Sequence, residues 1–361
     1  MHRNCLALVA IVLLAGCRAG TPSALVEPSA IERDTPAPTA TAESLSPGST
    51  QEPRATGSSN PSPSSFPIDI SPPENTVKLI FIHHSSGENW LADESGGLGL
   101  ALMQNNYFVS DTNYGWGPDD SLLGGPIGDY TDTGNWWNWF LGPSSGTILQ
   151  ALYSESEPHA GYSRLSDDPG GENEIVMFKS CFPNSALEGN PGDPPVSGDN
   201  PLQGKDSGSG YQTVGNAKRI YIDLLNYFKA HPEKLFVAVT APPLLETDTS
   251  PEQAANARAF NRWLVQEWLT DYLYRNVTVF DFYNVLTSNG GDPETNDLGA
   301  ATGNHHRVRD GQLEYVADQG GNMSAYAENG DSHPTVAGNR KATGEFVPLL
   351  NYFFHLWQPE H

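Results

Sequence analysis

Cysteine is scarce in this chain. Only Cys5, Cys17 and Cys181 occur in 361 residues, and the first two fall in an N-terminal stretch that reads as a processed leader. Cys181 then stands alone in the body, which excludes an intrachain disulfide framework. Positive charge is also sparse: 19 Lys and Arg face 43 Asp and Glu, a formal net charge of -24. Such a balance repels phosphate backbones and anionic lipid surfaces, so nucleic acid is excluded as a partner. No apolar run approaches the roughly 20 residues of a membrane-spanning helix. Internal repeats are missing, and so is any His-Glu-x-x-His spacing of the kind that holds a catalytic metal. What is present, 37% hydrophobic and 17% charged residues, suffices for one large core.

The chain opens with Met1-His2-Arg3, an apolar stretch from Leu6 to Leu14, and then Leu14-Ala15-Gly16-Cys17. A charged start, a short apolar segment and small residues describe an export signal. The Leu-Ala-Gly-Cys ending resembles the bacterial lipobox, which implies removal of residues 1–16 and lipid attachment to Cys17. An ordinary secretory signal beside a chance cysteine is the plainer alternative. Residues 17–75 are dominated by Ser, Thr, Pro, Ala and Glu, as in "SSNPSPSSFP". With little apolar surface to offset ordering entropy, they read as a solvated tether. The expectation is a lipid-anchored, extracytoplasmic protein of the bacterial cell envelope that meets the membrane through its anchor only. Arg18 is not the Asp that resembles an inner-membrane retention signal, which directs the expectation to the outer membrane or cell surface.

The body, residues 76–361, begins with Val77–Ile82, a β-rich apolar run. Tyr107–Val109, Ile175–Phe178, Leu235–Val239 and Val277–Phe280 are of the same kind. Between them lie helical patterns. Ile220, Leu224, Tyr227 and Phe228 share one face, as do Phe260, Trp263, Leu264 and Trp268. Ser250, Pro251 and Gln253 mark a helix start, and a last helix is expected from Thr335 towards Trp357. Strands alternating with helices predict an α/β fold, a doubly wound and mostly parallel sheet flanked by helices in three layers, with a long Trp-rich insertion. Sites in that architecture lie beyond the carboxyl ends of the strands.

Immediately after the first strand comes "HHSSG", His83 to Gly87. Near the other end comes "GDSHPT", with Asp331, Ser332 and His333 before the last helix. A serine hydroxyl needs an adjacent base to become a nucleophile, and a histidine base needs an acceptor to hold its tautomer. Ser85, His333 and Asp331 supply the three types, although serine and histidine also serve as plain helix caps.

"LIFIHHSSG" and "DSHPTVAGNRKAT" resemble the opening and closing motifs of the SGNH hydrolases, the GDSL-like esterases and lipases. The resemblance spans roughly Val77 to Trp357 and implies Ser85 as nucleophile, His333 as base, Asp331 as orienting acid, and no cofactor. Three departures accompany it. His83-His84 replace the Gly-Asp pair, Asp331 lies two rather than three residues before the histidine, and "MFKSCFPNSAL" stands where a Gly-x-Asn-Asp block is expected. The resemblance further implies oxyanion donors, for which Gly115 or Gly117 after the second strand and Asn184 after the third are the candidates. His84, Ser86, Trp116, Lys179 and Ser180 are expected around the pocket.

The stretch from Tyr114 to Phe140 carries Trp116, Trp136, Trp137 and Trp139. Two readings stand side by side: aromatic faces for sugar rings, or an insertion with its own small core. A calcium loop is excluded there, because Thr131 and Thr133 replace ligand positions and Phe140 replaces the closing Glu. The expected activity is hydrolysis of O-acyl esters, with an acylated carbohydrate or another small ester as substrate. A metal-dependent hydrolase using His83-His84, His305-His306, Asp331 and His333 is one alternative. A non-catalytic glycan-binding lipoprotein is the other.

Overall fold

A computed structural model describes residues 68–287, 305–309, 312–316, 321–328 and 330–358. The leader, Cys17 and most of the tether lie outside the described residues. Within the described part, strands β1 (Val77–Ile82) and β2 (Tyr107–Thr112) precede a short antiparallel pair, β3 (Asp119–Asp120) and β4 (Gly125–Pro126). Strands β5 (Ile175–Lys179), β6 (Leu235–Val239) and β7 (Val277–Phe280) follow, then an antiparallel pair, β8 (His305–Arg309) and β9 (Gln312–Val316). The five long strands form one parallel sheet in the order β2-β1-β5-β6-β7.

Burial at every position of these five strands explains their near-continuous apolar character, since both faces of a parallel sheet are covered. Alternate side chains feed two cores. Ile80, Ile82, Val176, Phe178, Phe236 and Ala238 pack towards one face. There they meet α3 (Trp136–Phe140), α4 (Ser145–Ser154), α5 (Val214–Ala230) and α6 (Pro251–Gln266). Leu79, Phe81, Ile175, Met177, Leu235 and Val237 pack towards the other face. That face is covered by α1 (Ser85–Leu91), α2 (Leu98–Gln104), α7 (Phe282–Thr287) and α8 (Val336–Trp357). The molecule is therefore a doubly wound α/β fold of three layers. Local signals start its longer helices: Ser250 and Gln253 form the expected capping box on α6, α8 begins after Thr335 as expected, and Thr213 caps α5.

Strand order reverses here: the chain crosses from β1 to β2 over one face, then returns from β2 past β1 to β5 over the other. The crevice beyond the carboxyl ends of β1 and β5 is the switch point at which such sheets bind ligands.

Two expectations change. Trp116, Trp136 and Trp139 are buried in the first core, with Trp116 stacked on Trp139 at 5.7 Å between ring centroids. Of the two readings of the insertion, packing over the sheet is the one found for these three rings, which join the core of that sheet face instead of forming a separate small one. The tether also ends earlier than position 75: the carbonyls of Ile70 and Pro73 accept hydrogen bonds from Asn351 and Asn106, which docks this stretch against the body.

Candidate active site

The chain leaves β1 at Ile82 and enters α1 at Ser85, with His84 in extended conformation as the N-cap residue. This abrupt turn is held by the two histidines. The buried His83 ring lies 3.0 Å from a carboxylate oxygen of Asp111, at the end of β2, and 2.9 Å from the His84 carbonyl. Asp111 is fixed in turn by the Tyr162 hydroxyl and the His159 N–H. The first turn of α1 sits directly on the His83 ring: a Cβ at Gly87 would come within 2.3 Å of His83 Cβ. Glycine is required there by close approach, not by backbone angle.

The His84 imidazole donates from Nε2 to the Gly128 carbonyl at 2.6 Å, and the Tyr114 ring stacks on it at 3.9 Å. Burial pushes its pKa down to about 4, the bond to Gly128 opposing only in part. His84 is consequently a neutral, Nε2-protonated ring that props the turn, not a proton carrier.

Consecutive serines at the start of α1 point to different places. Ser86 is fully buried; its Oγ accepts a hydrogen bond from Lys179 Nζ at 2.7 Å and lies 3.1 Å from Cys181 Sγ. Lys179, at the end of β5, is also fully buried, and burial holds its amine below the usual range. Ser85 is half-buried and turns outward, with its Oγ 2.7 Å from His333 Nε2. His333 Nδ1 lies 2.6 Å from Asp331 Oδ1, which also accepts the His333 backbone N–H at 3.0 Å. The two-residue spacing thus lets one carboxylate oxygen hold both ring and main chain. Burial pushes the Asp331 pKa upward, but these bonds outweigh it and keep the carboxyl below the usual range. The loop is anchored at Ser332, whose hydroxyl donates to Asp248 and accepts from the Leu245 N–H. Phe182 meets the His333 ring edge-on at 4.8 Å.

With Nδ1–H directed to Asp331, the Nε2 lone pair faces the Ser85 hydroxyl. That is the tautomer of a general base, within proton-transfer reach of an alcohol. Beside this relay runs an open cleft of about 720 Å³, lined by Asn89, Ser95, Glu328, Thr335 and Arg340 together with Asp331 and His333.

Several expected pocket residues stand elsewhere. The Asn184 amide donates to Asp132 at 2.6 Å and to the Cys181 carbonyl at 3.2 Å, while its oxygen accepts the Thr133 N–H. Both donor hydrogens are spent, so Asn184 holds the insertion to β5 and is not an oxyanion donor here. The Gly115 N–H is spent on Asp129 at 2.7 Å. Gly117, at φ 85°, serves the turn into β3. Ser180 is buried and accepts the Trp136 indole N–H, and Trp116 donates its own to Glu155. Ser180 and Asn184 line a narrow hole of about 10 Å³, the size of one water. Lys179 and Ser86 stand behind Ser85, both fully buried.

Sequence reasoning missed Tyr114, whose ring stacks on His84 with its phenol close to Ser85. Its place beside the glycines of "TNYGWG", just beyond β2, was the available signal. Among the described residues no group of three or more His, Cys, Asp or Glu side chains is arranged to hold a metal ion; the side chains of His305 and His306 lie outside the described residues. No described helix is long and apolar enough to cross a membrane. Comparison of the chain with protein-family models, with curated proteins and with solved structures finds no match.

Proposed function

We propose that the chain is a serine esterase of the SGNH type acting on O-acyl esters. One observation carries this reading: the unbroken relay from Ser85 Oγ through His333 to Asp331, with contacts of 2.7 and 2.6 Å, at the switch point of a doubly wound sheet. Ser85 Oγ attacks the ester carbonyl as its proton passes to His333 Nε2, and the carbonyl electron pair moves onto oxygen. Collapse of that oxyanion breaks the bond to the alcohol, which leaves with the proton from His333. Water, activated by the same imidazole, then releases the acid and restores Ser85.

The alcohol portion of the substrate is read from the cleft. Its walls mix Asn89, Ser95, Glu328 and Arg340 with Pro334, Val336 and Ala337, polar groups beside apolar ones that suit the hydroxyls and ring faces of a sugar. With Trp116, Trp136 and Trp139 in the core, this lining is what supports an acylated carbohydrate.

Hydrolysis of p-nitrophenyl acetate by the purified chain tests the reading. Ser85→Ala should lose activity by on the order of 10³-fold or more, and a fluorophosphonate should label Ser85 by mass spectrometry. Wild-type chain that is inert, or a Ser85→Ala variant that keeps the activity, would refute it.

A further inference from the structure

An oxyanion formed at Ser85 needs more than one donor, because one hydrogen bond offsets only part of the charge developing on oxygen. The Ser85 N–H, in the first turn of α1, is one. Two of the donors expected from the sequence are occupied: Asn184 by Asp132 and the Cys181 carbonyl, Gly115 by Asp129. The group that faces Ser85 in their stead is a phenol.

Tyr114 is placed there by three separate contacts. Its ring stacks on His84, the residue before the nucleophile, with an interplanar angle of 22°. Its backbone N–H is held by the Asn113 side chain at 3.0 Å, and the Asn113 amide donates to Glu88 on α1 at 3.0 Å. The loop is thereby tied to the helix that carries Ser85. Finally, its phenol lies close to the Ser85 hydroxyl and backbone, beside the position an ester oxygen must take. Burial raises the phenol pKa, which keeps its proton available for donation at neutral pH.

We propose that the Tyr114 hydroxyl is the second oxyanion donor of this site, a catalytic group acting beside the Ser85 N–H. The proposal rests on the esterase reading. When the substrate oxygen enters, the phenol slides outward along the His84 face by about one hydrogen-bond length, roughly 2.8 Å. There its O–H serves as donor towards the oxyanion. The side of Tyr114 away from Ser85 is open enough for this, since the residue is 60% exposed. No proton is transferred; the O–H bond persists through the step.

Tyr114→Phe isolates the hydroxyl, because the ring on His84 is kept. With p-nitrophenyl acetate and the full chain, kcat should fall on the order of 10²-fold, while KM stays within about two-fold and the thermal midpoint is unchanged. Affinity for a trifluoromethyl ketone, whose adduct with Ser85 carries the same anionic oxygen, should fall in parallel. Tyr114→Trp, aromatic but without the phenol, should show the same kcat loss, and it decides the question if the Phe variant folds poorly. Wild-type kcat in either folded variant, a rise in rate, or a change confined to KM would overturn the proposal and leave the esterase reading standing. An inert wild-type chain, or activity that survives Ser85→Ala, would overturn both.

Discussion

Acidification should destabilise this fold through His84. In the folded chain burial holds that imidazole down to about 4, against an ordinary value of 6.5. Between those values the unfolded chain binds a proton that the folded chain refuses, so stability rises with pH across the interval. The contribution is complete above 6.5 and is lost as pH falls towards about 4. The groups around the ring act in both directions: His83 and Lys179 oppose protonation, and Asp132 and the Gly128 carbonyl favour it, but burial dominates. With only 9% of the residue exposed, little solvent screening applies, and the loss over the interval is on the order of 3 kcal/mol. Urea unfolding from neutral pH down to about 4 measures it, with His84→Gln beside the wild type. Glutamine can still donate to the Gly128 carbonyl but does not titrate, so the difference between the two stability curves isolates this one group from the many carboxylates. Parallel curves would refute the reasoning, as would an NMR titration of His84 with its midpoint near 6.5.

Two further outcomes follow from close contacts and from exposure. Gly87→Ala should destabilise by about 1–3 kcal/mol and lower esterase activity, because the new Cβ meets His83 at 2.3 Å and displaces the start of α1; Gly146→Ala in α4, which meets nothing within 4 Å, should instead be neutral or stabilising by up to about 1 kcal/mol. Thermal melts of the pair check the contrast, and equal midpoints would refute it. Asp331→Asn should reduce kcat by only about 10- to 100-fold, less than the roughly 10⁴-fold of a buried triad acid, since the Asp331 side chain is 63% exposed and solvent shares its task. A loss as large as that of Ser85→Ala in the same assay would show this reasoning to be wrong.

The layers of the fold were readable because their signals are local. An apolar run of strand length, as in Val77–Ile82, reports burial on both faces, and Ser250 with Gln253 reports a helix start whatever lies around it. The closeness of Ser85 and His333 was inferable from residue types placed at the strand end and before the last helix. What escaped depends on partners distant along the chain. Asn184 has the side chain of an oxyanion donor, and only the arrival of Asp132 from the insertion, 52 positions earlier, consumes it. Trp136 and Trp139 look alike whether they face solvent or fill a core, because aromatic residues suit both. Tyr114 carries no motif at all; its importance arises from the stacking on His84 that the turn after β1 makes possible.

Ser85 and His333 stand 248 positions apart, one delivered by the opening strand and the other by the loop that precedes the closing helix. A growing or truncated copy that stops before that loop holds the Ser85 alcohol without the imidazole that faces it in the full chain. On the esterase reading proposed above, chemical competence waits until both segments have been made, and copies that carry only the first are silent by construction.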